Sequence, residues 1–302
     1  MNLEAGIRDA LASRGPLTGA ELHEHVGGTL FAVWKACALS DHVAMRHVGR
    51  RYVRMDRHVD GFARLSPSIL REFLTYTVVA MAGDDRLDRA ANRLAARIRV
   101  ISRNKRRMAV RIVSEALAPL LDSDMAEHFC ALIAGDIVYE MAHDVMRRES
   151  STGGVVAGSD LDIVILTSDD APTGLTEALD SAMLKRKWLY LKNPVFQEEV
   201  DYVIKPFAKL AEQASFETFP HMVACKVFDE AELLVGSSAL HQRGLSLLTE
   251  RGVIDCLRAA ERAAIAARAS REEYLLHVPG DVLPPLDSTK FYTDDEAAEF
   301  EH

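Results

Sequence analysis

Apolar residues recur at helical spacing from the start of the chain. Leu3, Ile7 and Leu11 predict a helix over 3–14 that stops at Gly15-Pro16. Thr18, followed three residues later by Glu21, has the spacing of a capping box and opens a second short helix with Leu22 and Val26 inward, ended by Gly27-Gly28. Thr29 caps a third helix carrying Leu30, Phe31, Trp34 and Ala38. The period then changes: HVAMRHVGRRYVRMD alternates about Val48-Gly49-Arg50, which predicts a hairpin with Arg46, Arg50, Arg51 and Arg54 around its tip. From Ser66 to His143 the pattern is helical, and it is helical again over 206–250 and 252–277, with breaks at Gly236 and Gly252. The last stretch, 279–302, is Pro-rich and then acidic, the pattern of an extended tail.

Composition narrows the class. The 302 residues are 48% hydrophobic and 27% charged, enough to bury a core and too apolar for long disorder. No window approaches 18 uninterrupted apolar residues, and the N-terminus is amphipathic, so neither a membrane span nor a signal peptide is expected. Cys37, Cys130, Cys225 and Cys256 are far apart, which excludes a zinc ribbon and points to a reduced, cytoplasmic protein. The net charge of −9 is unevenly spread: residues 1–150 hold 22 Lys and Arg against 19 Asp and Glu, residues 151–302 hold 14 against 26. Arg86, Arg89, Arg93 and Arg97 share a helical face and continue into Arg99, Arg103, Lys105, Arg106, Arg107 and Arg111. That run suits phosphates of a nucleic acid or nucleotide. The lack of interleaved aromatics favours instead a solvated face paired with acids of the other half.

Three short helices and a basic hairpin over 1–62 resemble a winged helix-turn-helix domain, in which the third helix enters the major groove and the hairpin touches the backbone. The resemblance makes DNA a candidate partner. Lys35, the chief cation of the third helix, is a sparse endowment for base reading, so packing or protein contact stands as an equal alternative.

Residues 148–167, RESSTGGVVAGSDLDIVILT, differ in kind. A Ser-, Thr- and Gly-rich loop runs into Asp160-Leu161-Asp162 and then a β-branched apolar run, a buried strand on which both carboxylates face the same way. Two adjacent carboxylates are costly to bury unless a cation neutralises them, and Mg²⁺ is suited to such a pair. Gly153, Gly154 and Gly158 allow close backbone approach, and Ser150, Ser151, Thr152 and Ser159 offer donors to phosphate oxygens. The chain lacks GxxxxGK[ST] and GxGxxG, so neither a P-loop nor a dinucleotide fold is expected.

Gly158-Ser159-Asp160-Leu161-Asp162-Ile163-Val164-Ile165 resembles the core motif of the DNA polymerase β-type nucleotidyltransferase superfamily. The resemblance covers about residues 135–205 and, with the patterns above, gives an α+β protein with five segments: winged helix (1–62), helical region (63–134), small mixed-sheet nucleotidyltransferase core (135–205), C-terminal helical bundle (206–278) and acidic tail (279–302). It implies NTP as substrate and two Mg²⁺ ions, with Mn²⁺ as substitute, held by Asp160, Asp162 and a third acid from a neighbouring strand. Asp201 in EVDYVI matches that acid, after a crossover helix over 173–191; Glu198 and Glu199 compete for the role. Ser150, Ser151, Thr152, Gly153, Gly158 and Ser159 would then hold the triphosphate, although the Gly-Ser pair that the family carries upstream is replaced here by Arg148–Gly154. The implied reaction moves an NMP, AMP by default, to a hydroxyl on RNA, protein or a small molecule, with Asp201 as general base. The competing expectation is a non-enzymatic DNA-binding regulator with a nucleotide-sensing or vestigial core. Oligomeric state is left open.

Overall fold

The computed structural model describes residues 3–121, 123–149, 153–294 and 296. In chain order its elements are α1 (Leu3–Arg14), β1 (Leu17–Thr18), α2 (Gly19–Val26), α3 (Leu30–Leu39), β2 (Val43–His47), β3 (Tyr52–Met55), β4 (Ala63–Ser66), α4 (Ile69–Tyr76), β5 (Thr77–Met81) and α5 (Leu87–Leu121). There follow β6 (Phe129–Ile133), β7 (Met146–Arg148), β8 (Val155–Ala157), β9 (Leu161–Thr167), α6 (Leu175–Lys192), β10 (Val200–Pro206), α7 (Phe207–Gln213) and α8 (Phe219–Glu230). The chain ends with β11 (Glu232–Gly236), α9 (Ser238–Glu250), α10 (Val253–His277) and α11 (Ser288–Phe291). It is a mixed α+β protein with small sheets. Two compact units divide it, Met1–Ile98 with Ala260–His302, and Arg99–Ala259, a partition that cuts across the five consecutive segments read from the sequence.

In unit one the expected first helices form, and Thr18 and Glu21 make a capping box in which the Thr18 hydroxyl accepts from Glu21 N–H and Glu21 Oε2 accepts from Thr18 N–H. The expected β2–β3 hairpin does not form. β2 pairs antiparallel with β5, which also pairs with β1, while β3 pairs with β4. The reason lies in burial: Val78, Val79 and Ala80 are within 2% of fully buried, so β5 takes the central position and needs a partner on each side. The helix expected through 66–81 accordingly ends at Tyr76, where Thr77-Val78-Val79 turns the backbone to strand. Nor does the end of the chain run as an extended tail throughout: α11 places Phe291 inside the core, 5.5 Å from Phe31 and 5.2 Å from Trp34, ring centre to ring centre. Arg268 ties the C-terminal half of α10 to this unit through Glu72, Glu272 and the carbonyl of Pro67. Lys35 donates to the carbonyls of Val278 and Gly280, so the one cation on α3 is spent on packing.

In unit two a four-stranded sheet has the order β10-β9-β6-β11, with β10 parallel to β9 and the other pairs antiparallel. α6 is the crossover expected between the parallel strands. Phe129, Ala131 and Ile133 of β6 join Leu161, Ile163 and Ile165 of β9, Ile112, Val113 and Leu117 of α5, and Leu179 and Met183 of α6 in one core. Two strands of the sheet, β6 and β11, lie outside 135–205, and the helical pattern over 206–250 is broken by β11, where Leu233-Leu234-Val235 supplies a strand.

Candidate metal-binding acidic site

Register sets the site. Asp201 lies opposite Asp162 in the parallel pair, and Leu161 N–H donates to the Glu199 carbonyl at 2.9 Å. Strand alternation sends Leu161, Ile163 and Ile165 into the core together with Val200, and so turns Asp160, Asp162, Glu199 and Asp201 to the opposite face at the N-terminal ends of both strands. Carboxylate oxygens of Asp160, Glu199 and Asp201 all lie within 4.8 Å of one another. Of the expected triad, Asp160 and Asp201 therefore come together, with Glu199 as the third member. Asp162 Oδ2 instead lies against Gly135: a Cβ built on that glycine would sit 2.2 Å from it. Glu198, one residue out of phase, faces away and is buried against Lys105 at 2.6 Å.

Three carboxylates at this separation repel, and two basic side chains offset them. Arg147 on β7 pairs with both Asp160 and Glu199, the latter at 2.8 Å, and its Nε donates to the Gly158 carbonyl at 3.0 Å. Lys187 on α6 pairs with Asp201 at 2.6 Å. Burial pushes the Glu199 carboxyl upward, Arg147 pulls it down, and the neighbouring Asp201 pushes it up again, for a net rise. Glu198 is raised by burial against the pull of Lys105.

No family model, curated protein or solved structure matches this chain. Function is therefore read from the geometry.

Of the Gly-Ser loop expected to grip phosphates, the described Gly153, Gly158 and Ser159 make their hydrogen bonds within the chain. Ser150, Ser151 and Thr152 lie outside the described residues. Gly153 N–H donates to the Glu149 carbonyl, Gly158 N–H to Val145 and Ser159 N–H to His143. The Ser159 hydroxyl donates to Asp136 and accepts from His143 N–H. Gly158 has φ +70°, and a Cβ there would meet the His143 carbonyl oxygen at 1.7 Å, so this glycine serves close packing of its own chain rather than of a ligand. The physical reason is the pairing of β7 with β8, which brings Gly158 and Ser159 against 143–145 and engages their backbone N–H groups there. Lys105 completes the arrangement: its ammonium donates to the carbonyls of Ala157 and Ser159, each at 2.7 Å, and to Glu198, fixing the turn that delivers Asp160.

Several contributors escape a reading by motif. Gly135, at φ +73°, follows β6, and its N–H donates to Glu230 Oε1 at 3.1 Å; Tyr139 and Lys226 donate to the other oxygen of the same carboxylate. The signal for Gly135 was present as a glycine just after the apolar run Phe129–Ala134. Arg147 and Lys187 carry no local signal, whereas Lys105 belongs to the basic run whose pairing with acids of the other half was expected. Lys205 and Lys226 are both buried, unlike most lysines, and burial lowers the Lys205 ammonium to about 8 beside Gln213.

Proposed function

We propose that unit two is a divalent-metal-dependent nucleotidyltransferase core that moves an NMP, AMP by default, from NTP to a hydroxyl of RNA, protein or a small molecule. One observation carries the reading: acids from two parallel strands, joined by a crossover helix, converge at the same strand ends with three oxygen donors inside 4.8 Å. An all-carboxylate set of that size fits a hard cation such as Mg²⁺ or Mn²⁺ and suits neither zinc nor copper. Asp160, Glu199 and Asp201 would hold the ion, and Asp162 is the adjoining acid on the same strand. Bound there, divalent ions would neutralise the carboxylates and lower the pKa of an acceptor hydroxyl while drawing charge from the leaving pyrophosphate. Asp201 has a side chain 46% exposed against 32% for Asp160 and 8% for Glu199, which makes it the acid best placed to meet an acceptor proton. Arg147 and Lys187 offset two of the three carboxylate charges, and both can exchange their carboxylate partners for substrate phosphates.

The test is incubation with each α-labelled NTP, Mg²⁺ or Mn²⁺ and total RNA or lysate, beside the Asp160→Ala/Asp162→Ala double variant. Label transferred by the wild type alone supports the reading and names base and acceptor. Absence of transfer together with absence of Mn²⁺ binding by calorimetry overturns it. The second reading, a non-catalytic regulator, is favoured by the pairing of Arg147 and Lys187 with the acids, which offsets two of their three charges without metal. It predicts Mn²⁺-independent nucleotide binding.

A further inference from the structure

Within unit two, α5 presents Arg99, Arg103, Arg107 and Arg111 at successive four-residue steps, all exposed. Each step rises about 6 Å, so the row extends about 18 Å along one side of the helix. Among the described residues none of the four has an acidic partner; Arg103 Nε reaches only the Arg99 carbonyl, at 3.3 Å. The sequence expectation that this run pairs with acids of the other half is met by Lys105 with Glu198 and Arg106 with Glu232, and not by the row.

The row is self-repelling. Like charges four apart on a helix destabilise it, and oppositely charged pairs at that spacing would do the reverse. Yet residues 89–114 contain nine Arg and Lys and no Asp or Glu, in a chain with 45 acids in all. Every member of the row is arginine, whose planar fork binds a phosphate through two hydrogen bonds. The exposed apolar residues beside it are Val100 and Val110, without the Trp, Phe or Leu of a membrane-surface helix.

We infer that this face of α5 binds the phosphodiester backbone of a nucleic acid, independently of base sequence. A duplex carries one charge per about 1.7 Å of axis counting both strands, or about 3.4 Å per strand, so about five phosphates of one strand run along an 18 Å row, enough for four arginines. The inference goes beyond nucleotidyl transfer and is tested without NTP or divalent metal, so its failure leaves the transfer assay untouched.

The experiment measures anisotropy of a labelled single-stranded RNA and of a labelled DNA duplex with full-length protein between 50 and 200 mM salt. The comparison is the Arg99→Gln/Arg103→Gln/Arg107→Gln/Arg111→Gln variant, in which Gln keeps helix propensity. The slope of log K against log salt should be shallower in the variant by about 2.8 for single strands or about 3.6 for duplex, from 0.7 or 0.9 per phosphate contact; whichever difference is found identifies the source of the backbone. The corresponding Lys variant keeps the wild-type slope. A second measurement needs no variant: RNA or duplex should protect these four arginines from phenylglyoxal, read by mass spectrometry. Equal slopes in wild type and Gln variant, or unprotected arginines, overturn the inference. So does a wild type that binds vesicles of phosphatidylserine and phosphatidylcholine through this row while ignoring both nucleic acids.

Discussion

Lys105→Met tests how the acidic site is held. Lys105 is 5% exposed, and its ammonium makes hydrogen bonds to Glu198 and to the carbonyls of Ala157 and Ser159. Removing one member of a buried ion pair costs about 3–5 kcal/mol, because the remaining charge is left desolvated. The two carbonyls also lose a charged donor. A cost of that order is a large part of a stability of about 5–15 kcal/mol. The pH dependence follows from Glu198, which burial raises and Lys105 pulls down. Without Lys105 its folded-state pKa climbs further above the unfolded value. A carboxyl whose folded pKa is raised binds more protons folded than unfolded, so stability is lost as pH rises from about 4.5 through the folded pKa. The variant's penalty should therefore be smallest near pH 4.5 and largest near pH 7.5. Adding Glu198→Met should recover part of the loss, and not all, since the carbonyls of Ala157 and Ser159 remain unpaired. Urea unfolding of the four proteins of this cycle at both pH values is the assay. A penalty under about 1 kcal/mol at pH 7.5, or one that does not change with pH, would refute the account of the staple.

Two further outcomes are expected. Gly135→Ala puts a Cβ at φ +73° and 2.2 Å from Asp162 Oδ2, so it should cost at least the 1–2 kcal/mol of a left-handed non-glycine residue and displace Asp162; thermal unfolding and Mn²⁺ calorimetry should show lower stability and weaker binding together. Lys205→Met should stabilise the protein at pH 7 by up to about 3 kcal/mol, the equivalent of lowering a lysine from 10.5 to about 8, less about 1 kcal/mol for the lost bond to Gln213. Because the unfolded chain holds that proton through the window and the folded chain does not, wild-type stability rises with pH from about 8 to 10.5, and the advantage of the variant should fade over the same range in urea midpoints.

Where local chemistry decides, the fold was legible. The Thr18–Glu21 capping box and the helix stop at Gly15 follow from the backbone groups left open at helix ends, and these need only neighbours in sequence. The β9 strand and the crossover helix were equally plain, since a β-branched run and a long helical pattern leave little choice. Strand partners were not. β2 joins β5 across an intervening hairpin and helix, and its alternation is the same whichever strand it meets. Phe291 was hidden for a related reason: a short aromatic segment among prolines and acids has no periodicity, and only the receiving core of Phe31 and Trp34 gives it a place.

The site shows the same division. Asp160 and Asp162 follow from a pattern of two on one strand, but the choice among Glu198, Glu199 and Asp201 depends on register between two strands. That register, Asp201 opposite Asp162, puts Glu199 beside Asp160 and sends Glu198 to the other face, where Lys105 neutralises it. Which acids cluster is set by pairing geometry rather than by residue type, since all three are carboxylates of similar chemistry. It follows that Glu199, 8% exposed and paired with Arg147, is held in place without a cation, whereas among the described residues the more open Asp201 pairs with Lys187, the long side chain of a helix residue. The site is thus closed on its Glu199 side and more open on its Asp201 side, the side from which the acceptor proposed above would approach.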